Sequence, residues 1–328
     1  MAIVLSHSSA LAWWRRFEGQ PDRLALADVR HAPDRAQVDE NALRALDLLG
    51  IERPFDVLIS GDGPRARNGS LNGRVWRHAL EGLVRKTWLP GVWVVCPELC
   101  LAQNAAGLDF GQRLLLLGEF FGTYRVLGDE ARYDQPMLSS RAALADALGA
   151  VKGAPHVRSL REIARYAGEG AASPQESRGY LKLSLPNRHG GLGVSPILLN
   201  HEVPLDEVGA KLLGKGHCRV DLYFPKLGCG VEYDSYQEHL GKKQHDDDAS
   251  RRTVLSSLGV PIHVLTNAQL RSPELMSALV KSLYCGSGRS LRIRCADFRR
   301  RQDELWEQLD GVRPKRLRAE GDASAEER

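Results

Sequence analysis

Two short apolar segments joined by a turn place three carboxylates inside an otherwise apolar region of the sequence. The first covers residues 219–224 and the second covers residues 229–234, with a Pro-Lys-Leu-Gly turn between them. Apolar runs that flank such a turn predict a β-hairpin. Asp221 lies in the first run, and Glu232 and Asp234 share one face of the second. Since buried carboxylates are costly unless they are paired or bind a cation, the hairpin predicts a Mg²⁺ or Mn²⁺ site.

The segments around this hairpin predict helices and one further strand. Upstream, Ser173-Pro174 with Glu176 has the pattern of a helix start. Downstream, a polar run leads into an apolar stripe that ends at Gly259, which predicts a helix, and residues 261–266 predict a buried strand. The predicted order is therefore a helix, the paired strands, a helix and a strand.

This ordered set resembles the restriction-endonuclease-like superfamily of PD-(D/E)xK nucleases, and within it small bacterial domains related to the very-short-patch-repair (Vsr) endonuclease. The resemblance implies an α/β fold with an αβββαβ core in residues 169–285. The residues that carry it are Ser173-Pro174, Glu176, Leu185-Pro186, Gly190 to Gly193, Arg219-Val220-Asp221, Val231-Glu232-Tyr233-Asp234, His239, Asp248, Arg251 and Gly259.

The same resemblance implies metal-assisted hydrolysis of DNA. Asp221 and Glu232 would bind Mg²⁺ or Mn²⁺, with the backbone carbonyl of Tyr233 as a further ligand. Asp234 occupies the position that is usually lysine in the superfamily. Either Asp234 joins the metal site and His239 acts as acid or base, or turnover has been lost.

Three further residues complete the predicted site. Glu176 would reach the same ion through water, and Arg251 and Arg252 would contact DNA phosphates. Two of them have a structural alternative, because Glu176 also fits a capping box with Ser173, and Arg251 also fits a helical ion pair with Asp247.

The hairpin acids and the histidine have structural alternatives too. Asp234 at a strand end also fits a hydrogen bond to the following turn. His239 lies in a polar segment, where a histidine is commonly solvated. For Asp221 and Glu232, the alternative to a metal is a salt bridge, and the candidate cations are Arg219, Arg251 and Arg252.

Composition restricts the class of protein. The chain has 328 residues, and its 45 basic and 41 acidic side chains give a net charge of +4, so any DNA-binding surface must be local. The six cysteines include no CxxC pair, which argues against a zinc ribbon and for a reducing cytoplasm. Neither a signal peptide nor an 18-residue apolar run is found, so we expect a cytoplasmic protein without a membrane partner.

The first half of the chain carries a second resemblance. It is similar to the core domain of AbiEi-type antitoxins in three places. These are Trp13-Trp14 after a serine-rich opening, residues 92–98 and the segment 114–124. This predicts a mixed α+β domain in residues 1–168, followed by the nuclease-like domain. Residues 286–328 are expected to form a C-terminal helix and a disordered, charged tail.

Two classes of function follow from these patterns. The first is a magnesium-dependent DNA endonuclease of a bacterial defence, repair or mobile-element system. The second is a non-catalytic, antitoxin-like regulator or DNA-binding protein that uses a nuclease fold as a scaffold. In either class the expected partners are DNA and a toxin or defence-system protein.

Overall fold

The computed structural model describes residues 3–33, 40–61, 69–151, 153–154, 157–234 and 242–314, without the side chains of 40–42 and 242–247. The chain divides into two compact units, Met1–Pro174 and Gln175–Arg328. This division lies within a few residues of the domain boundary expected at 168. Among the described residues, no helix is long and apolar enough to cross a membrane.

The first unit mixes seven strands and six helices among its described residues. Its strands are β1 (Ile3–Leu5), β2 (Phe55–Ile59), β3 (Leu71–Val75), β4 (Val84–Lys86), β5 (Val92–Val95), β6 (Arg125–Leu127) and β7 (Glu130–Arg132). Its helices are α1 (His7–Arg16), α2 (Glu40–Asp47), α3 (Pro97–Asn104), α4 (Phe110–Phe120), α5 (Arg141–Ala150) and α6 (Val157–Ala164), with a 3₁₀ turn at Pro21–Arg23.

A five-stranded mixed sheet forms the centre of the first unit, with strand order β3-β2-β1-β5-β4. The central strand β1 runs parallel to β5 and antiparallel to β2. Every residue of β1 and β2 is buried, which fits sequences that are apolar except for Asp56 of β2. Helix α1 is fixed beside this sheet, because the indole Nε1 of the fully buried Trp14 donates to the Val95 carbonyl at 2.9 Å.

The second unit contains the segment with the predicted carboxylates. Its strands are β8 (Leu198–Pro204), β9 (His217–Phe224), β10 (Cys229–Asp234) and β11 (Ile262–Thr266). Its helices are α7 (Pro174–Ser184), α8 (Glu207–Leu213), α9 (Lys242–Ser257), α10 (Asn267–Arg271), α11 (Pro273–Leu283) and α12 (Phe298–Asp310), with a 3₁₀ turn at Asn187–His189.

The four strands of this unit form one sheet in the order β11-β10-β9-β8. Strands β8, β9 and β10 are antiparallel neighbours, and β10 runs parallel to β11. The parallel pair needs a crossover, which α9 supplies. The predicted hairpin is present, with Phe224 opposite Cys229 and with Gly228 in the left-handed conformation (φ 63°) that its turn requires.

The prediction of a mixed α/β protein is confirmed at this level. Strand β8 was not predicted, because its sequence Leu-Leu-Asn-His-Glu-Val-Pro has no regular alternation of apolar and polar residues. With β8 included, the second unit runs α7, β8, β9, β10, α9 and β11, and the short helix α8 lies between β8 and β9.

Helix α12 is anchored to α7 by the side chains of Lys182 and Arg178. The ammonium of Lys182, which is fully buried, donates to both carboxylate oxygens of Asp310 (2.8 and 2.7 Å) and to the Leu270 carbonyl. It also lies 4.9 Å from the ring centre of Trp306. Arg178 donates to the Leu309 carbonyl at 2.9 Å. The second unit therefore extends past residue 285 to include α12.

We expect a fragment of residues 172–314 to fold alone. These residues contain the whole four-stranded sheet, together with α7 and α12, which are joined by the Lys182–Asp310 ion pair. Residues 170 and 171 are left out, since their backbones bond to Phe121 and Thr123 in the first unit. Circular dichroism and limited proteolysis would test this. The matched fragment 172–285 lacks Asp310 and should be less stable, whereas a molten 172–314 fragment would contradict the prediction.

Candidate active site

Asp221 and Glu232 lie on the neighbouring strands β9 and β10. The antiparallel register ends at Leu222 and Val231, so the two acids are the next residues along the two strands. Beyond that point the Tyr233 N–H bonds to a side chain and not to a backbone carbonyl: the acceptor is Asp221 Oδ2, at 2.9 Å. The two acids that the sequence places on paired strands are therefore neighbours across β9 and β10.

Strand β9 changes the direction of its side chains at Asp221. Val220 and Tyr223 both belong to the core cluster with Leu255 of α9, whereas Leu222 lies beside Gly179 of α7. In a regular strand, residues three apart point to opposite faces, so this segment contains an irregularity. Such irregularities redirect side chains and are over-represented next to active sites.

Burial sets the electrostatics of the two acids. Burial raises the pKa of Asp221, although the Tyr233 N–H and the charge of Arg251 oppose the rise. Burial also raises the pKa of Glu232, with Arg251 lowering it and the charge of Asp221 raising it further. The two carboxylates therefore repel each other in a poorly solvated place, which is an arrangement that a bound cation would relieve.

A guanidinium group lies against this pair in the described structure. The Nη2 atom of Arg251 on α9 is 2.5 Å from Glu232 Oε1, in an ion pair where Oε1 accepts no aligned hydrogen bond. The same Nη2 donates to the Arg219 carbonyl. Of the structural alternatives, the salt bridge from Glu232 to Arg251 is thus present, and Arg251 is directed at the acids.

Arg252 also contributes charge near Glu232, whose pKa it lowers. Its Nε atom is buried and has no hydrogen-bond partner among the described residues. Arg251 and Arg252 were both predicted to contact DNA phosphates. The structure places both guanidinium groups close to the predicted metal site.

Glu176 is bound to the sheet by Asn200, a residue that was not predicted to belong to the site. Its buried carboxylate accepts a hydrogen bond of 2.5 Å from the side chain of Asn200 on β8. The β8 residues on either side of Asn200 pair with Leu222 and Val220, which are the two neighbours of Asp221 in β9. Asn200 itself has a left-handed backbone (φ 49°). An asparagine within a strand is disfavoured, and that was the available sequence signal for this residue.

The remaining predicted residues are placed as follows. Asp234 is the last residue of β10, is half-buried, and pairs in register with Thr266 of the parallel strand β11. His239 lies outside the described residues, so its predicted role as acid or base has no structural counterpart here.

The residues present fit a hard divalent cation. Asp221 and Glu232 supply carboxylate oxygens, and Glu232 Oε1 has no aligned hydrogen bond in its buried position. Oxygen donors of this type suit Mg²⁺ and Mn²⁺. Within the described part of the chain, no three His, Cys, Asp or Glu side chains are grouped as a metal-binding cluster. Among the described residues, the side chains that would hold the ion are those of Asp221 and Glu232.

The first unit has a cleft of about 510 Å³ beside Asp56 of β2. The buried Asp56 carboxylate accepts from the backbone and hydroxyl of Ser8, from Asn72 at 2.7 Å and from Arg74 at 2.7 Å. Burial, aided by the charge of Arg74, lowers the pKa of His7 to about 4, so its ring is neutral at pH 7. We interpret this cluster as a polar connection between α1 and the sheet.

Comparisons with known proteins identify no relative of this chain. No family model matches the chain, and searches of curated proteins and of solved structures found no match.

Proposed function

We propose that the second unit is a DNA endonuclease of the restriction-endonuclease-like type that uses Mg²⁺ or Mn²⁺. The observation that carries this proposal is the pair of Asp221 and Glu232, placed together on adjacent strands, with burial raising the pKa of both. Perturbed carboxylates grouped on a sheet are typical of catalytic sites. The element order α7, β8, β9, β10, α9, β11 supports the αβββαβ core expected from the resemblance.

Asp221 and Glu232 would hold the ion, with the Tyr233 carbonyl as a further ligand. When bound, such an ion polarises a phosphoryl oxygen and lowers the pKa of water. The protein's own part is to orient these ligands: the Tyr233 N–H fixes Asp221, and Arg251 neutralises Glu232. Glu176, held by Asn200, would contribute a further carboxylate through water. His239 would serve as acid or base, because Asp234 stands in place of the usual lysine.

A non-catalytic, antitoxin-like regulator that retains the fold is the second candidate. The specific observation in its favour is the ion pair between Arg251 and Glu232, which compensates one carboxylate without a metal. The absence of lysine at position 234 supports it too. In this function the protein would bind DNA, or a toxin or defence-system protein, in the bacterial cytoplasm without hydrolysis.

Cleavage of supercoiled, linear, mismatched and branched DNA by the full chain with Mg²⁺ or Mn²⁺ tests the enzymatic proposal. Hydrolysis of one of these forms would support it. A folded, metal-binding protein that cuts none of them would favour the regulator.

Metal binding itself is a separate prediction. We expect the wild type to bind Mn²⁺ or Mg²⁺ in calorimetry and the Asp221→Asn variant to lose this binding, because the amide removes one of two anionic ligands. Binding should weaken as the pH falls, since burial raises the pKa of both acids and protons then compete with the ion.

Glu207→Gln is the matched control, because it removes one carboxylate from an exposed position on α8. This variant should bind the metal as the wild type does. Equal and negligible heats for the wild type and for Asp221→Asn would contradict the metal site.

A further inference from the structure

The segment between α11 and α12 carries positive charge, and no described acid forms an ion pair with its arginines. From Leu275 to Ala296 the sequence has four basic residues, Lys281, Arg289, Arg292 and Arg294, and neither Asp nor Glu. The three arginines are exposed, and none of them forms an ion pair with a described residue. Just beyond this segment the pattern differs, because Arg300 and Arg301 are both paired with Asp297.

The fold holds this segment against a second basic turn. The backbone N–H of Arg294 donates to the Asn187 side chain at 3.3 Å, and Arg301 donates to the Arg188 carbonyl at 3.0 Å. Gly190 packs so closely that an added Cβ would lie 2.3 Å from the Arg301 carbonyl oxygen. Arg188, which is exposed and directly follows Asn187, therefore belongs to a segment that adjoins Arg294.

We propose that Arg188, Arg289, Arg292 and Arg294 form a cationic surface that binds the phosphate backbone of duplex DNA. The proposal rests on the proposed function in taking DNA as the ligand, and it names the surface outside the metal site that would hold it. The surface uses arginine only, whose planar guanidinium matches phosphate oxygens in a bidentate manner.

The dimensions of the segment agree with a DNA strand. The six residues from Arg289 to Arg294 are separated by five intervals and span at most about 18 Å when extended. One DNA strand presents a phosphate about every 3.4 Å along the axis, so about five phosphates lie within reach. The segment between Ser290 and Cys295 has neither helix nor strand, so its side chains are not constrained to one face by a regular element.

The test measures the affinity of the full chain for a fluorescent DNA duplex by anisotropy, in EDTA and over a series of salt concentrations. The variant replaces Arg289, Arg292 and Arg294 by glutamine. We expect its affinity to fall at least about tenfold near 100 mM salt, and the slope of log K against log salt to decrease by about 2 to 3, since each phosphate contact contributes about 0.9.

A second triple variant is the matched control. It replaces Arg158, Arg161 and Arg165, which are exposed in the first unit, by glutamine as well. Both triple variants therefore change the net charge by the same amount. Its salt slope should equal that of the wild type. An equal loss in both triple variants would show that only net charge matters and would overturn the proposed surface.

Other outcomes are equally decisive. Absence of duplex binding by the wild type, or binding only of an RNA duplex, of heparin or of anionic vesicles, would overturn the assignment to DNA. Should the triple variant have a lower Tm than the wild type, the single variant Arg292→Glu, at an exposed position, replaces it. EDTA prevents metal-dependent cleavage, so DNA binding is measured separately from hydrolysis. A protein that binds DNA through this surface in EDTA, yet cuts no DNA when Mg²⁺ or Mn²⁺ is supplied, would uphold the surface and reject the nuclease.

Discussion

Glu232→Gln is expected to abolish DNA cleavage while leaving the fold and the DNA affinity unchanged. Glutamine has the shape of glutamate but lacks the negative charge that would hold the metal ion. Loss of residues that merely support metal ligands typically costs 10- to 100-fold, so loss of a ligand should lower the cleavage rate by at least about 100-fold. The fold should persist because Arg251 keeps its hydrogen bond to the Arg219 carbonyl and is partly exposed to water.

The measurement is the single-turnover cleavage rate in Mg²⁺ or Mn²⁺, with DNA affinity in EDTA determined separately. Glu207→Gln on α8 again serves as the control and should cleave as the wild type does. A loss confined to turnover would agree with a role in catalysis. Cleavage that survives both Glu232→Gln and Asp221→Asn would place hydrolysis at another site or in a contaminant.

Asp310→Ala is expected to destabilise the second unit by about 3–5 kcal/mol, the usual cost of removing one partner of a buried ion pair. The variant leaves the ammonium of Lys182 in a fully buried position with only the Leu270 carbonyl as acceptor. Denaturant unfolding of the 172–314 fragment and of the full chain would measure the loss. The double variant Lys182→Met, Asp310→Leu removes both charges and should recover most of the stability.

The same pair predicts a pH dependence with a definite sign. Burial lowers the pKa of Lys182 from 10.5 to about 8, against the opposing charge of Asp310. Between these values the unfolded chain binds a proton that the folded chain has released, so the free energy of unfolding should rise with pH from about 8 to about 10.5. Lys182→Met lacks this contribution. Parallel pH profiles for the wild type and Lys182→Met would contradict the lowered pKa.

Several elements were predictable because their signals are local. The hairpin follows from two apolar runs around a turn that ends in Gly228, and α9 and β11 follow from an apolar stripe, Gly259 and a short apolar run. Strand β8 was missed because Asn200 and His201 interrupt its apolar pattern. The half-buried position of Asn200 and its left-handed backbone depend on contacts outside β8, among them its hydrogen bond to Glu176.

Local sequence patterns were sufficient to predict that Asp221 and Glu232 lie on the paired apolar strands of one hairpin. These properties follow from alternation and turn chemistry within sixteen consecutive residues, 219–234. In contrast, the folded structure was needed to show that Arg251, rather than Arg219 or Arg252, pairs with Glu232. It was needed also to show that Lys182 contacts Asp310, 128 residues away. Such pairings depend on how helices pack on the sheet, and no local pattern encodes the distance between side chains from separate elements.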